Sequence, residues 1–506
     1  MVGQISADRG QYNKKSLVKY LVFIGLVTIL SHFTHGSIAA VLPIFILMAI
    51  AQRKPSALLF WIMTLIFFSV GNRYFFPQNT ITMLATRGTL VSVAMILMCR
   101  VAGMKVPRFI YPMLGIFFYI GWEALVSIQG YSPGVSYMKL ILFVPIYLSL
   151  YMLACEVTAS SRTNAKHVRT VVLALAILLI GGSVVLLRIP SIGQMTAVNA
   201  NMFGGDVDMI VSRLAAGDDV SLFCGMCAHS QALGPLVAVM ATLIFADYVF
   251  AVRRKDWIYL GLLFATPILV YKTSSRTAMA TYMAGAGLVV FLFMQARAVG
   301  QRWKGKVLMA VFALCVCAGA AAIALPSVRE RALGFVLKFS GGSGTQAKDL
   351  TMENITSSRQ ALVEMSLAGF RDKPLLGNGF QVGWWMKFER RRGLKDYLSA
   401  PIEKGVWPTA ILEEGGVIGL VFFGGFLLVA IVMLIKRHAY CGACVLWTFM
   451  IANFGEFSFF SMSYIGGFEW ALVFVGLILD GQRLKTVGLQ LYQVVDMPPL
   501  QGRRAR

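Results

Sequence analysis

Apolar residues in this chain come in runs. Stretches such as "YLVFIGLVTIL" and "VFFGGFLLVAIVMLI" show neither the two-residue alternation of a half-buried strand nor the single stripe of a surface helix. Runs of this kind match the ~30 Å of bilayer hydrocarbon when coiled as α-helices, and helices are one of the few structures that satisfy their backbone there. The pattern predicts fourteen spans, at about 16–32, 36–52, 57–72, 80–99, 108–128, 136–156, 168–188, 229–251, 257–271, 277–297, 306–325, 409–435, 440–455 and 464–480. The expected fold is an all-α polytopic membrane protein, a single transmembrane domain over 1–506. Two long polar interruptions stand out, 189–228 and a larger, partly helical one at 326–408.

Composition agrees with the pattern. The chain is 58% hydrophobic and only 14% charged, with a mean hydropathy of +0.71, where a soluble protein carries about 25% charged residues. The basic start "ADRGQYNKKSLVKY" leads into the first apolar run with no small-residue cleavage site behind it, so that run is expected to stay as a helix.

The net charge of +23 would suggest nucleic acid in a soluble protein, but no RNP, zinc-finger or helix-turn-helix pattern supports that. Short basic loops instead orient membrane proteins. With the N-terminus in the cytoplasm, the inner loops read "QRKPS", "CRVAGMKVPR", "SSRTNAKHVR", "VRRKDW", "QARAVGQRWKGK" and "KRHAY", and the tail ends in "GRRAR". All are basic, and both termini fall inside. The two long interruptions then face outward, and they hold further cations that orientation does not require. A polyanionic ligand is the simplest reason for them.

Four outer segments concentrate unusual residues. In "ITSSRQALVEMSLAGFRDKPLLGNGF" the spacing Ser357-x-x-Gln360 predicts a capping box, with a short amphipathic helix running to Asp372-Lys373-Pro374. Arg359 would stand in its first turn, where free N–H groups favour an anion; pairing with Glu364 or a lipid headgroup is the plainer alternative. In "YKTSSRTAMATY" Arg276 opens a helix among hydroxyls, suited to phosphate or simply snorkelling to headgroups. "VSRLAAGDDVSLFCGMCAHSQALGP" contributes Arg213 and His229. "PIEKGVWPTAILEEGGVIGL" contributes Glu403, Lys404, Glu413 and Glu414, and carboxylates at membrane depth are costly unless paired or functional. Arg87, Glu123, Glu456 and Glu469 also lie in or near the outer half, Arg87 and Glu123 as a potential pair.

In order along residues 205–425, "SRLAAGDDVSLFCGMCAHSQALGP", "SSRTA", "RQALVEMSLAGFRDKPLLGNGF" and "LEEGGVIGL" make the chain resemble the O-antigen ligase and polymerase superfamily, membrane glycosyltransferases of the GT-C type. The resemblance implies an inverting glycosyltransferase at the periplasmic face of the bacterial inner membrane, acting on undecaprenyl-diphosphate-linked glycan. It maps diphosphate-gripping arginines to Arg213, Arg276 and Arg359. The segment Glu414-Gly415-Gly416-Val417-Ile418-Gly419 fits the family's E-x-G-x-x-G. The place of the ligases' His-Asn pair is held here by Glu403-Lys404-Gly405-Val406-Trp407, which favours a polymerase of exopolysaccharide or O-antigen repeat units over a ligase.

Such a transfer needs the leaving diphosphate stabilised and the acceptor proton removed. No D-x-D motif occurs in the outer loops, so the expectation is metal-independent, cofactor-free catalysis with arginine forks replacing the metal. Candidate bases are Glu403, then His229, then Glu414. Trp384, Trp385 and Trp407 suit sugar stacking or interfacial anchoring equally. Expected partners are the lipid-linked glycan, the bilayer and other polysaccharide-export components, without nucleic acid. A transporter or flippase of a lipid-linked glycan is the rival from another class, and it calls for discontinuous helices and midplane charges. Cys224/Cys227 and Cys441/Cys444 form two C-x-x-C pairs at opposite faces, which excludes a shared four-cysteine zinc site. The first pair could form a disulfide. "FSGGSGTQAKD" lacks a P-loop ending and reads as a linker.

Overall fold

The computed structural model describes residues 12–77, 80–101, 106–160, 165–193, 223–228, 230–251, 256–273, 275–295, 352–388, 404–455, 457–461 and 465–486. Its helices in chain order are α1 (Lys14–Phe33), α2 (Leu42–Ala51), α3 (Pro55–Val70), α4 (Thr80–Val101), α5 (Ile116–Ser127), α6 (Pro133–Ala159) and α7 (Ala165–Leu186). They continue with α8 (Ser230–Phe250), α9 (Trp257–Lys272), α10 (Arg276–Gln295), α11 (Met352–Asp372), α12 (Trp407–Lys436), α13 (Tyr440–Ala452) and α14 (Ile465–Thr486). A 3-10 segment, Arg108–Gly115, leads into α5. There is no strand among the described residues, only one isolated bridge between Gly71 and Cys227.

Eight helices among the described residues are long and apolar enough to cross a membrane: α1, α5 with its 3-10 lead, α6, α7, α8, α10, α12 and α14. The apolar helices α2, α3, α9 and α13 are shorter, and α4 occupies the predicted range 80–99. The expected span 306–325 lies outside the described residues. Helix starts follow local chemistry. Asn13 accepts from the Ser16 amide at 3.1 Å and Asp256 from the Ile258 amide at 3.0 Å, while Pro opens α3 and α6 at positions where its missing N–H costs nothing.

The helices are sorted by their surroundings. Along α1, Val18, Val22, Leu26, Ile29 and Phe33 are exposed at helical spacing, while Leu17, Ile24, Val27 and Ser31 face inward. A helix that turns its large aliphatics outward in this way is placed in lipid, not water. The chain is a membrane-embedded protein. By contrast the membrane-length window of α14 is buried throughout, with Glu469 and Asp480 enclosed among its apolar residues, and that of α8 nearly so. Around them lies an aromatic core that includes Tyr147, Phe143, Phe380, Phe459, Phe460 and Trp470.

Polar groups gather at the two ends of the bundle. At one end Arg169 of α7 grips both oxygens of Asp247 of α8 at 3.0 Å, with the Tyr259 hydroxyl donating at 2.6 Å. Arg100 of α4 pairs with Glu156 of α6, and Gln482 of α14 donates to the Val157 carbonyl at 3.0 Å. The opposite end holds the carboxylates of α12.

Several expectations change here. α11 begins at Met352, so the Ser357–Gln360 box lies inside a helix and Arg359 sits two turns in, away from any free N–H group. The residues Glu353 to Thr356 continue the helix upstream because nothing in them breaks it. The interruption 326–408 is not loose at its end: α11, the turn after it and the 3-10 segment Trp384–Lys387 pack on α12. The end of 189–228 is likewise built in. Asn72 Nδ2 donates to the carbonyls of Ile192 (3.0 Å) and Gly225 (2.7 Å), and Cys224 and Cys227 are buried free thiols.

Candidate functional site

The segment "EEGG" breaks α12. Gly416 has φ +67 and ψ −164, a conformation that only glycine adopts without strain. The break strips several carbonyls and amides of their helical partners, and inside a membrane each of these needs another. The turn "PLLGNG" supplies them. Asn378 N donates to the carbonyls of Glu413 (3.0 Å) and Glu414 (2.8 Å), and Gly379 N to Glu414 O at 2.9 Å. Asn378 Nδ2 reaches Glu413 O at 3.1 Å and Gly369 O at 2.7 Å. In return Val417 N donates to Pro374 O at 2.9 Å. From α5, Trp122 Nε1 donates to Gly415 O at 2.8 Å.

The clasp explains both glycine pairs. Gly377 (φ +83) lies so close to the break that a Cβ there would come within 2.1 Å of the Glu414 carbonyl. Gly379 (φ +106) fits between Ser136 and Ser127. On α12 itself, a Cβ at Gly415 would stand 2.4 Å from Glu123 Oε1 and one at Gly419 3.5 Å. These two glycines open the groove that receives the side chain of Glu123.

The break places its two carboxylates inward, both almost fully buried. Lys404, on the segment leading into α12, pairs with Glu413 Oε2 at 3.1 Å and Glu414 Oε1 at 2.8 Å. Burial opposes the Lys404 charge, but Glu413 and Glu414 outweigh it and hold the ammonium pKa above the ordinary lysine value. Glu413 Oε1 accepts from the Trp384 backbone amide at 2.6 Å, and Tyr119 of α5 donates to Glu414 Oε2 at 3.5 Å. The result is a closed arrangement of three glutamates, one lysine and a phenol built from α5, α12 and the 374–388 segment.

The fate of the candidate residues is mixed. Glu414 stands at the centre, but as half of an ion pair and not as a free base. Trp384 contributes its backbone N–H, and its ring packs edge-on to Phe388 with centroids 4.9 Å apart. Trp407 is buried among Phe423, Phe454 and Phe459, a packing residue of the core with no open face for a sugar. Arg276 opens α10, behind Ser275, whose hydroxyl accepts from Ala278 N at 3.2 Å. It lies on the same end of the bundle as the carboxylates. Its neighbour Thr277 abuts Gly455, where a Cβ would be 1.8 Å from Thr277 Oγ1, and Trp407 N donates to Asn453 O at 3.1 Å. Arg213, His229, Glu403 and Glu456 lie outside the described residues, as do the side chains of Arg359 and Trp385.

No group of three or more His, Cys, Asp or Glu side chains among the described residues is arranged to hold a metal ion. Tyr119, Trp122 and Asn378 complete the site beside Glu123, and no local motif in the sequence marks them. The glycines beside Glu123, Gly415 and Gly419, flank the break at Gly416, so their meeting with it does not follow from helical spacing. No protein-family model matches the chain, and no curated protein matches it.

Proposed function

We propose that this membrane protein is a polymerase that joins polyprenyl-diphosphate-linked oligosaccharide repeat units into an exopolysaccharide or O-antigen. The observation that carries the reading is the meeting of two motifs of the resemblance. Residues 374–379 and 413–419 lie far apart in the chain, yet they clasp each other around a broken helix. They gather Glu413, Glu414 and Lys404 at the end of the bundle where Arg276 also stands.

In this reading the chain crosses the bacterial inner membrane fourteen times, both termini are cytoplasmic, and 189–228 and 326–408 face the periplasm. Transfer is a single inverting displacement. The acceptor hydroxyl loses its proton to a carboxylate or to His229, its oxygen bonds to the anomeric carbon, and the diphosphate leaves with the bonding electrons. Arg276, with Arg213 and Arg359, neutralises the charge that develops on the phosphate oxygens, a contribution of roughly 3 kcal/mol per well-placed donor in other enzymes. Lys404 holds Glu413 and Glu414 in place.

The test is the glycan profile of a deletion strain. Loss of a polymerase leaves single repeat units, loss of a ligase leaves full-length polymer on its lipid carrier, and loss of a flippase leaves lipid-linked units facing the cytoplasm. The interrupted α12 favours the transporter reading. Against it stands the turn 374–379, whose backbone takes up the Glu413 and Glu414 carbonyls and the Val417 amide that the break exposes.

A further inference from the structure

The structure assigns to Glu123 and Glu414 a shared role, independent of the transfer reading: together they form a buried proton-binding site, a carboxyl pair across Gly415 that holds one proton at neutral pH. Glu123 is 0% exposed, makes no ion pair among the described residues, and has the Tyr119 phenol of its own helix as the hydrogen-bonding side chain beside it. Its carboxyl group is aimed into the groove at Gly415, towards α12. Glu414, also 0% exposed, is already committed on Oε1 to Lys404 at 2.8 Å.

Charge decides what fills the gap. An ionised carboxylate taken out of water costs several kcal/mol unless a cation or several donors compensate it. Two facing carboxylates in such a place do not both ionise; one keeps its proton. The groups that act on Glu123 are Glu414, the Tyr119 phenol of its own helix and, more weakly, Lys404. Lys404 is divided between Glu413 and Glu414. From α6, Lys139 acts on Glu414, and Arg87 of α4 stands beside Lys139. Cationic charge is therefore directed at Glu414, and Glu123 is the carboxyl that carries the proton. A metal ion is the competing occupant, but the described residues offer no cluster able to chelate one. Ionisable groups placed this way inside membrane proteins serve as proton relays.

Infrared spectroscopy of the full chain in lipid nanodiscs tests this. At pH 7 in heavy water, the wild-type protein should show the C=O stretch of a protonated carboxyl, and Glu123→Gln should remove one carboxyl's worth of that band. Glu123→Gln should also leave the melting temperature unchanged or raised, because a neutral amide replaces a neutral acid. Glu414→Gln, which deprives Lys404 of a partner, should lower it. A spectrum in which Glu123→Gln removes no protonated-carboxyl intensity overturns the proposal, and so does a Glu123→Gln protein that melts well below wild type. If adding sodium or potassium ions at fixed pH abolishes the band, the occupant is a cation and the proposal fails in that way too.

Discussion

At the scale of single residues, the site is a matter of space and charge. Gly377 and Gly416 combine left-handed backbone with contacts that leave no room for a methyl group. Gly377→Ala or Gly416→Ala should each destabilise the folded protein by at least about 2 kcal/mol, from the left-handed penalty plus the clash, read as a fall in melting temperature in detergent. Lys404 is the counter-charge for Glu413 and Glu414. Lys404→Met should cost about 3–5 kcal/mol, the range for removing one partner of a buried pair. Adding Glu414→Gln to it should recover part of that loss, and an unchanged double mutant would show that the ion pair is not what the lysine supplies. Arg276→Lys keeps charge but loses the planar fork; under the proposed function, polymer yield should drop at least tenfold while the amount of folded protein stays constant.

At the scale of elements, the central feature is a helix interrupted and then repaired. α12 breaks at Gly416, and the turn after α11 satisfies the broken ends. The outer edge of that turn is held by a lighter set of contacts. Asp372 accepts from Lys387 at 2.8 Å and from the Tyr131 hydroxyl at 2.6 Å. These bonds, Lys387 first, hold the Asp372 carboxyl below its ordinary pKa of 3.8. A carboxylate with a lowered folded pKa stabilises the fold above its unfolded value, and that stabilisation is lost as pH falls through the folded one. Proteolysis at Lys373 and Lys387 should therefore stay slow at neutral pH and accelerate only in acid, below about pH 4, and Asp372→Asn should be fast at both. Because Asp372 is solvent-exposed, the effect is local and small.

The sequence made much of this element structure readable. Every predicted span within the described residues falls on a helix, because apolar runs bounded by Pro, Asn and Asp leave the backbone few other options. The start of α11 differs from the expectation because Ser357 and Ser358 are residue types that favour helix starts, while the helix already runs from Met352. The break in α12 was visible only as a Gly-Gly pair, and nothing local says what would fill it; the answer lies in Asn378, some forty residues earlier. Glu123 was noticed as a costly charge, but a single sequence does not show which helix face it meets.

At the scale of the whole molecule, lipid-facing aliphatics surround a buried α14 and α8, and ionic groups are segregated to the two ends. One end, with Arg169, Asp247 and Tyr259, is a closed structural network. The other joins the broken helix, three glutamates, Lys404 and the start of α10 with Arg276. That asymmetry suits the proposed polymerase, which would work at one membrane face. The most direct test is reconstitution. The purified chain in nanodiscs is supplied with the single-unit lipid-linked glycan that accumulates in its deletion strain, with no other protein present. The account predicts a ladder of lipid-linked products longer by whole repeat units, formed without added metal and lost with Arg276→Lys. Single units that stay unextended while wild-type protein is folded and present would contradict it.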